Sequence, residues 1–313
     1  MSNPIFRDPI EDGAADPTVI RKEGTGEWWM FYTNRRARAG GEGFSWIHGS
    51  PIGVAVSTDD GASWVYRGTV KGLDAPGDEG LNTHWAPEVI FAAGQYHMYL
   101  SYISGTPTHW NVPRTITHFV SDDLENWRRV GPLTLSSDRV IDAAVYKCPD
   151  GLWRLWYKDE DHGSATWCAT SSDLFEWTVE GVVIPGSPDA APHEGPNVFE
   201  LGGFYWLIVD EWKGQAAYSS DDCTTWTRQG ILGGEPGANA SDRRYVRHAD
   251  VVVVGDHAAL YYFTHPEWDE RSQAEGPPDV AARKTAVHHG RLTVRDGVLL
   301  LDRDIPADLA ILR

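Results

Sequence analysis

The chain reads as all-β, a single five-bladed β-propeller over residues 1–313, and three observations predict this. One kind of turn ending in tryptophan recurs along the chain. One kind of hairpin occurs five times. The composition also suits many short strands: 15 Trp and 12 Tyr favour pleated, half-buried surfaces, and 32 Gly supply the positive-φ positions that tight turns need.

The turns are STDDGASW (57–64), SDDLENW (121–127), SSDLFEW (171–177) and SSDDCTTW (219–226). Their tryptophans, Trp64, Trp127, Trp177 and Trp226, repeat at about 50 residues after a longer first interval, which is a blade-like period. In each turn, Ser and Asp are placed to hydrogen-bond their own backbone while Trp packs between sheets. Recurrence from blade to blade marks these Asp residues as structural.

The hairpins are DPTVIRKEGTGEWWMFYT from Asp16, APEVIFAAGQYHMYLSYI from Ala86, DAAVYKCPDGLWRLWYK from Asp142, EGPNVFELGGFYWLIVDEW from Glu194 and HADVVVVGDHAALYYFTH from His248. Each sets alternating or apolar strands around a turn, so five of them predict five blades of about four strands. The last hairpin, GRLTVRDGVLLLDRD, lies beyond the fifth start and completes or closes a blade. No composition shift marks a linker. Two stretches break the rhythm, 34–51 in blade one and 268–283 in blade five. Long insertions in a repeat fold are functional rim loops or mobile surface.

Charge and cysteine usage narrow the partners. A net charge of −18 repels phosphate backbones and anionic headgroups, so nucleic acid and membrane surfaces are poor partners, whereas a neutral ligand is acceptable. The N-terminal residues carry no basic and apolar signal pattern, and no apolar run is long enough to span a bilayer. Cys148, Cys168 and Cys223 are odd in number and lack CxxC spacing. They read as buried thiols of a reducing compartment, so the expected location is cytoplasmic.

In a propeller the first strand of each blade lines the central channel, and the starts of those strands converge at one face. Here the starts offer Asp16, Trp85 with Ala86, Asp142, Glu194 and His248. Aligned on the following Val19, Val145 and Val198, Asp16 and Asp142 stand three residues before the valine and Glu194 four, so Glu194 sits higher. Glycoside hydrolysis needs two carboxyl groups flanking the scissile bond, one protonated and one ionised. A third carboxylate raises the pKa of the acid by like-charge repulsion. The same residues also suit plain strand-end caps. Phe44, Trp46 and His48 in the first insertion suit sugar stacking and hydroxyl contacts, and His84, Trp85, Trp110 and Arg283 are further candidates for substrate contact.

The order Asp16-Pro17, Trp85-Ala86-Pro87, Ile141-Asp142 and Glu194-Gly195-Pro196 resembles glycoside hydrolase family 43, and the resemblance extends over nearly the whole chain. It implies Asp16 as the base that activates water and Glu194 as the acid that protonates the leaving oxygen. Asp142 would modulate and orient that acid, with inversion at the anomeric carbon. It implies no required cofactor, although a structural calcium in the channel near His248 accords with the family. The substrate would be a small oligosaccharide losing a terminal arabinofuranose, xylose or anhydrogalactose-type sugar. Asp142-Ala143 departs from the family's Asp-Pro, and the segments NRRA, WIHG and RKTAVHHGRL are closer to family 117.

Other readings remain. A sialidase would need an arginine triad and a Tyr nucleophile, and a retaining fructan hydrolase would need Asn-Asp-Pro and Glu-Cys motifs. The Arg7-Asp8-Pro9 tripeptide lies in the wrong place for the latter. A sugar-binding propeller would need the aromatics without the acids. A phosphorylase would need a basic cluster beside Glu194; no such group stands beside it, although Arg243, Arg244 and Arg247 precede the fifth start within reach of the pocket.

Overall fold

The computed structural model describes residues 3–186, 193–268, 278–305 and 309. Five four-stranded antiparallel sheets form the fold, each built from consecutive strands in sequence order. Blade one holds β1 (Ala14–Arg21), β2 (Trp28–Asn34), β3 (Ile52–Ser57) and β4 (Val65–Thr69). Blade two holds β5 (Thr83–Ala92), β6 (Gln95–Ile103), β7 (Thr115–Ser121) and β8 (Arg128–Pro132). Blade three holds β9 (Val140–Lys147), β10 (Trp153–Asp159), β11 (Ala165–Ser171) and β12 (Thr178–Ile184). Blade four holds β13 (Glu194–Leu201), β14 (Phe204–Asp210), β15 (Gln215–Ser220) and β16 (Thr227–Leu232). Blade five holds β17 (Ala249–Val254), β18 (His257–Thr264), β19 (Ala286–Arg295) and β20 (Val298–Asp302), so the last hairpin completes a blade. One short helix, α1 (Val280–Arg283), lies in the second insertion.

The core sits between blades. Trp29, Phe31 and Val54 of blade one meet Met98, Leu100 and Phe119 of blade two, and comparable apolar clusters fill the other seams, including that between blades five and one. The recurrent turn has the geometry its sequence implies. Ser121 Oγ accepts from Leu124 N at 3.0 Å, and Asp123 Oδ1 accepts from Glu125 N and Asn126 N at 2.8 Å. Ser171 with Asp173 and Ser220 with Asp222 repeat the arrangement. Each turn's Trp then packs on the preceding blade: Trp127 on Phe31, Trp177 on Tyr99, Trp226 on Trp156, and Trp64 on Tyr261 across the closing seam. Cys223 takes the buried place that Leu124 and Leu174 fill in the neighbouring turns, and all three cysteines are buried and free. The seam is also tied by Phe6, which pairs antiparallel with Val287, and by Asn3 Nδ2, which donates to His289 O at 2.9 Å. Among the described residues no helix is long and apolar enough to cross a membrane.

Candidate active site

The first strand of each blade is innermost, and four of these strands are bulged at the same place. Register breaks fall between Ala15 and Thr18, Trp85 and Glu88, and Glu194 and Asn197, with the matching break in blade three opposite Trp156 and Lys158. Each bulge holds one residue at positive φ: Asp16 (47°), Ala86 (45°), Asp142 (60°) and Gly195 (55°). A non-glycine residue there costs about 1–3 kcal/mol and persists only where its surroundings impose it, commonly at functional sites. Pro17, Pro87 and Pro196 follow directly, at positions freed from the ladder by the bulge. Ala143, the departure from the family pattern, occupies the same bulge position in blade three.

The bulges explain why equivalent residues of separate blades converge. They also expose a rule for the second strands. Thr33, Ser101, Lys158 and Asp210 stand opposite Ala15, Trp85, Ile141 and Glu194 in their own blades. From there each reaches the next blade. Thr33 Oγ1 accepts from Ala86 N at 2.7 Å, Ser101 Oγ from Asp142 N at 3.0 Å, and Asp210 Oδ2 from His248 N at 3.1 Å. Lysine has nothing to accept with. Lys158 Nζ instead donates to Glu194 Oε2 at 3.2 Å, and the Gly195 amide donates to Asp142 Oδ2 at 3.0 Å. Gly195 itself admits no side chain, because an added Cβ would stand 2.4 Å from His248 Cγ. Gly195→Ala is therefore expected to cost about 1–3 kcal/mol in denaturant unfolding, as overpacking does, and to displace His248.

Asp16, Asp142 and Glu194 line one cavity of about 480 Å³ at the channel mouth. Asp16 is held by Arg35, whose Nη2 lies 3.1 and 3.3 Å from its two oxygens, and His248 Nδ1 lies 3.8 Å away. Burial raises Asp142 to about 6, with Glu194 and Asp16 adding to the rise and His248 and Lys158 opposing it. Burial also pushes Glu194 up. Lys158 first, then Arg247 and the Trp212 indole, outweigh that and leave its carboxyl below the usual value. The rise expected for Glu194 from a third carboxylate is therefore opposed by these neighbours. Arg247, one of the arginines before the fifth start, does reach the cavity, and Lys158 of β10, which the sequence reading did not single out, lines it as well.

Of the remaining candidates, Trp46, Trp85 and Trp110 line the cavity, joined by Phe44 and Ile47. Trp85 and Trp110 stack with centroids 5.6 Å apart and planes 15° apart. Their indole N–H groups donate to Ile47 O at 2.7 Å and Glu160 Oε1 at 3.2 Å. His48, His84 and Arg283 do not line the cavity. His48 is fully buried behind the aromatic wall, 5.0 Å from the Trp85 ring, with Nδ1 on Phe44 O at 2.9 Å. His84 is buried against Tyr102, 3.6 Å from Asp74. Arg283 lies behind Trp46, its guanidinium 5.6 Å from that ring and bonded to Pro278 O and Ala39 O. His48 and Arg283 thus back Trp85 and Trp46, which line the cavity, whereas His84 packs on Tyr102, which does not. Pairing chemistry with an inserted loop does not tell which side of the loop faces inward.

The opposite wall is Phe263, His265, Trp268, Trp212 and Arg247. Sequence reasoning missed Lys158, Glu160, Arg35 and Trp212. The register rule was the one signal available for Lys158, since it falls where Thr33 and Ser101 fall. Asp8, of the off-pattern tripeptide, is a buried acceptor for Tyr32 Oη (2.6 Å) and Asn34 Nδ2 (2.9 Å) under blade one. Among the described residues no group of three or more His, Cys, Asp or Glu side chains has metal-holding geometry. The His248 ring is packed between Asp16 and Gly195.

The family described as "Probable glycosyl hydrolase domain", related to family 43, matches residues 3–257. Among curated proteins, a probable sucrose-6-phosphate hydrolase of Psychromonas ingrahamii is 28% identical over 53% of this chain and 34% of its own length. A probable arabinan endo-1,5-alpha-L-arabinosidase A of Aspergillus fumigatus is 26% identical over 62% of this chain and 56% of its own. The chain thus spans only part of the curated relatives it matches. The crystal structure of a thermostable family-43 glycoside hydrolase superposes with a TM-score of 0.71 at 18% identity, covering 96% of this chain and 98% of that one, and shares its fold. With bulged inner strands carrying the motif residues and a match over most of its length, the chain belongs to the family 43-related glycosyl hydrolase domain family.

Proposed function

We propose that the protein is an inverting, exo-acting glycoside hydrolase that removes a terminal sugar, of arabinofuranose or similar pentose type, from a short neutral oligosaccharide. The observation that carries this reading is one cavity that gathers three carboxyl groups from three blades beside a stacked tryptophan pair. Its volume of about 480 Å³ is that of a small-ligand pocket, which suits chain ends better than the middle of a polymer. The aromatic wall offers apolar sugar faces a platform, and the charged wall offers hydroxyl groups donors and acceptors. The arabinan-cleaving relative points to a pentose.

In this reading Asp16, fixed by Arg35, takes the proton of the attacking water, and Glu194 donates to the departing oxygen. Asp142 orients the acid segment through the Gly195 amide and shares its charge environment. Asp16 and Glu194 project from blades one and four, which are not neighbours in a ring of five, so the channel mouth separates them. That separation favours a water between base and sugar over direct attack, hence inversion. The test is NMR of the anomer released in the first minutes from a panel of pentosides and neoagaro-oligosaccharides. The inverted anomer is expected. A retained anomer would make Asp16 a nucleophile, and a protein that binds the panel without cleavage would be a lectin.

A further inference from the structure

We propose that Lys158 is a positioning residue for the general acid: it fixes one oxygen of Glu194 and makes it a stronger acid than the bulged carboxyl would otherwise be. This rests on the assignment of Glu194 as the proton donor and adds a residue that the motifs do not contain.

Three observations carry it. Lys158 occupies the second-strand position that in blades one and two carries only an inter-blade hydroxyl, Thr33 and Ser101. Its ammonium is buried, with a side chain 4% exposed, and it bridges Glu194 Oε2 at 3.2 Å and Glu160 Oε1 at 3.4 Å. Glu160 is in turn anchored by Arg114 Nη1 at 3.0 Å and holds the Trp110 indole. A buried lysine held by two carboxylates on a rigid strand is a fixed charge, not a mobile surface group. The contact fixes Oε2, while the Trp212 indole also bonds the carboxyl.

The other groups around Glu194 do not replace this role. Arg247 faces it from before β17 but leans on the Trp212 ring at 5.9 Å and lies 3.8 Å from Asp210. Asp210, across the ladder, accepts from the Trp212 and His248 amides, and burial pushes it up to about 7. Asp142 contacts the Gly195 amide, and His193 turns away towards Glu211 at 3.6 Å. Only Lys158 places a cation in hydrogen-bond contact with the acid among the described residues.

The chemical consequence is specific. An opposite charge within about 4–6 Å favours the ionised carboxylate and lowers its pKa by about 1–3 units. When Glu194 delivers its proton, Lys158 stabilises the carboxylate that forms, which helps most when the leaving group is a poorly departing sugar alkoxide. The cost is that less of the acid is protonated at neutral pH. The basic limb of kcat/KM, which reports loss of the acid's proton, is therefore shifted to lower pH.

Lys158→Met tests this, with Lys158→Arg as the conservative partner. On a natural oligosaccharide the Met variant is expected to lose about 10- to 100-fold in kcat at the acid plateau, with KM little changed, and its basic limb should rise by about one pH unit or more. On a nitrophenyl glycoside, whose leaving group needs little protonation, kcat should change less than threefold or so. The Arg variant should restore most of the shift. Independently of turnover, ¹³C NMR of labelled glutamate, with the Glu194 signal assigned by Glu194→Gln, should titrate at higher pH in the Met variant. An unmoved Glu194 midpoint would overturn the proposal. An equal loss on both substrates with no pH shift would also overturn it, as a merely structural effect. A wild-type protein that cleaves nothing while the midpoint moves would instead overturn the hydrolase reading alone.

Discussion

Asp16→Asn and Glu194→Gln are each expected to lower kcat on an unactivated oligosaccharide by about 10²–10⁴-fold, the usual worth of a general base or acid. The two losses should separate on an activated substrate. With a nitrophenyl leaving group Glu194→Gln should recover most of its rate, because that group leaves without a proton. Asp16→Asn should remain impaired, since water still needs its base. Neither change removes packing volume, so unfolding should stay close to wild type. In the Gln variant Lys158 keeps Glu160 as partner, and in the Asn variant Arg35 keeps the Phe263 ring, 4.8 Å away, and His265. Single-turnover and steady-state kinetics on both substrate types read the pattern. Near-normal turnover of either variant on the natural substrate removes that residue from the mechanism.

The second large effect lies away from the site. Asp242 is fully buried behind blade five, and its carboxylate accepts from Arg303 Nε at 3.1 Å and Nη2 at 2.5 Å and from Tyr262 Oη at 2.7 Å. Arg303 also spans the turn through Arg244 O and Asp242 O, each at 2.7 Å. Removing one partner of a buried pair leaves an uncompensated charge, and such changes cost about 3–5 kcal/mol. Arg303→Met keeps most of the aliphatic volume, so it isolates the charge. Chemical denaturation should show a loss of that size, and adding Asp242→Asn should recover part of it because the orphaned carboxylate is gone. The folded fraction should retain wild-type kcat, since neither residue lines the cavity that holds Asp16, Asp142 and Glu194. A loss under about 1 kcal/mol would mean that water has access to Asp242 after the change.

Sequence alone determined the blade count, because the cues are local and repeat. Ser and Asp close a turn on their own backbone within three residues, as at Ser121 and Asp123, and a tryptophan must then find an apolar seam. It also brought Asp16, Asp142 and Glu194 together, since counting back from Val19, Val145 and Val198 is counting along equivalent strands. The last hairpin found its blade for the same reason.

Tertiary structure decided what faces those carboxyls. Lys158 and Arg247 lie far from Glu194 in sequence and reach it only because blades three and five flank blade four. The charge on Glu194 therefore follows from neighbours across seams, and the repulsion expected from Asp142 was outweighed by cations that strand-start alignment does not display. The insertion at 34–51 shows the same limit. Trp46 faces the cavity while His48, two residues on, is buried behind it, and Arg283 supports Trp46 from the rear. A strand's alternation fixes which residues share a face, whereas an irregular loop has no period to read. Its inward side is set by packing against Trp85 and Trp110, which only the assembled ring supplies.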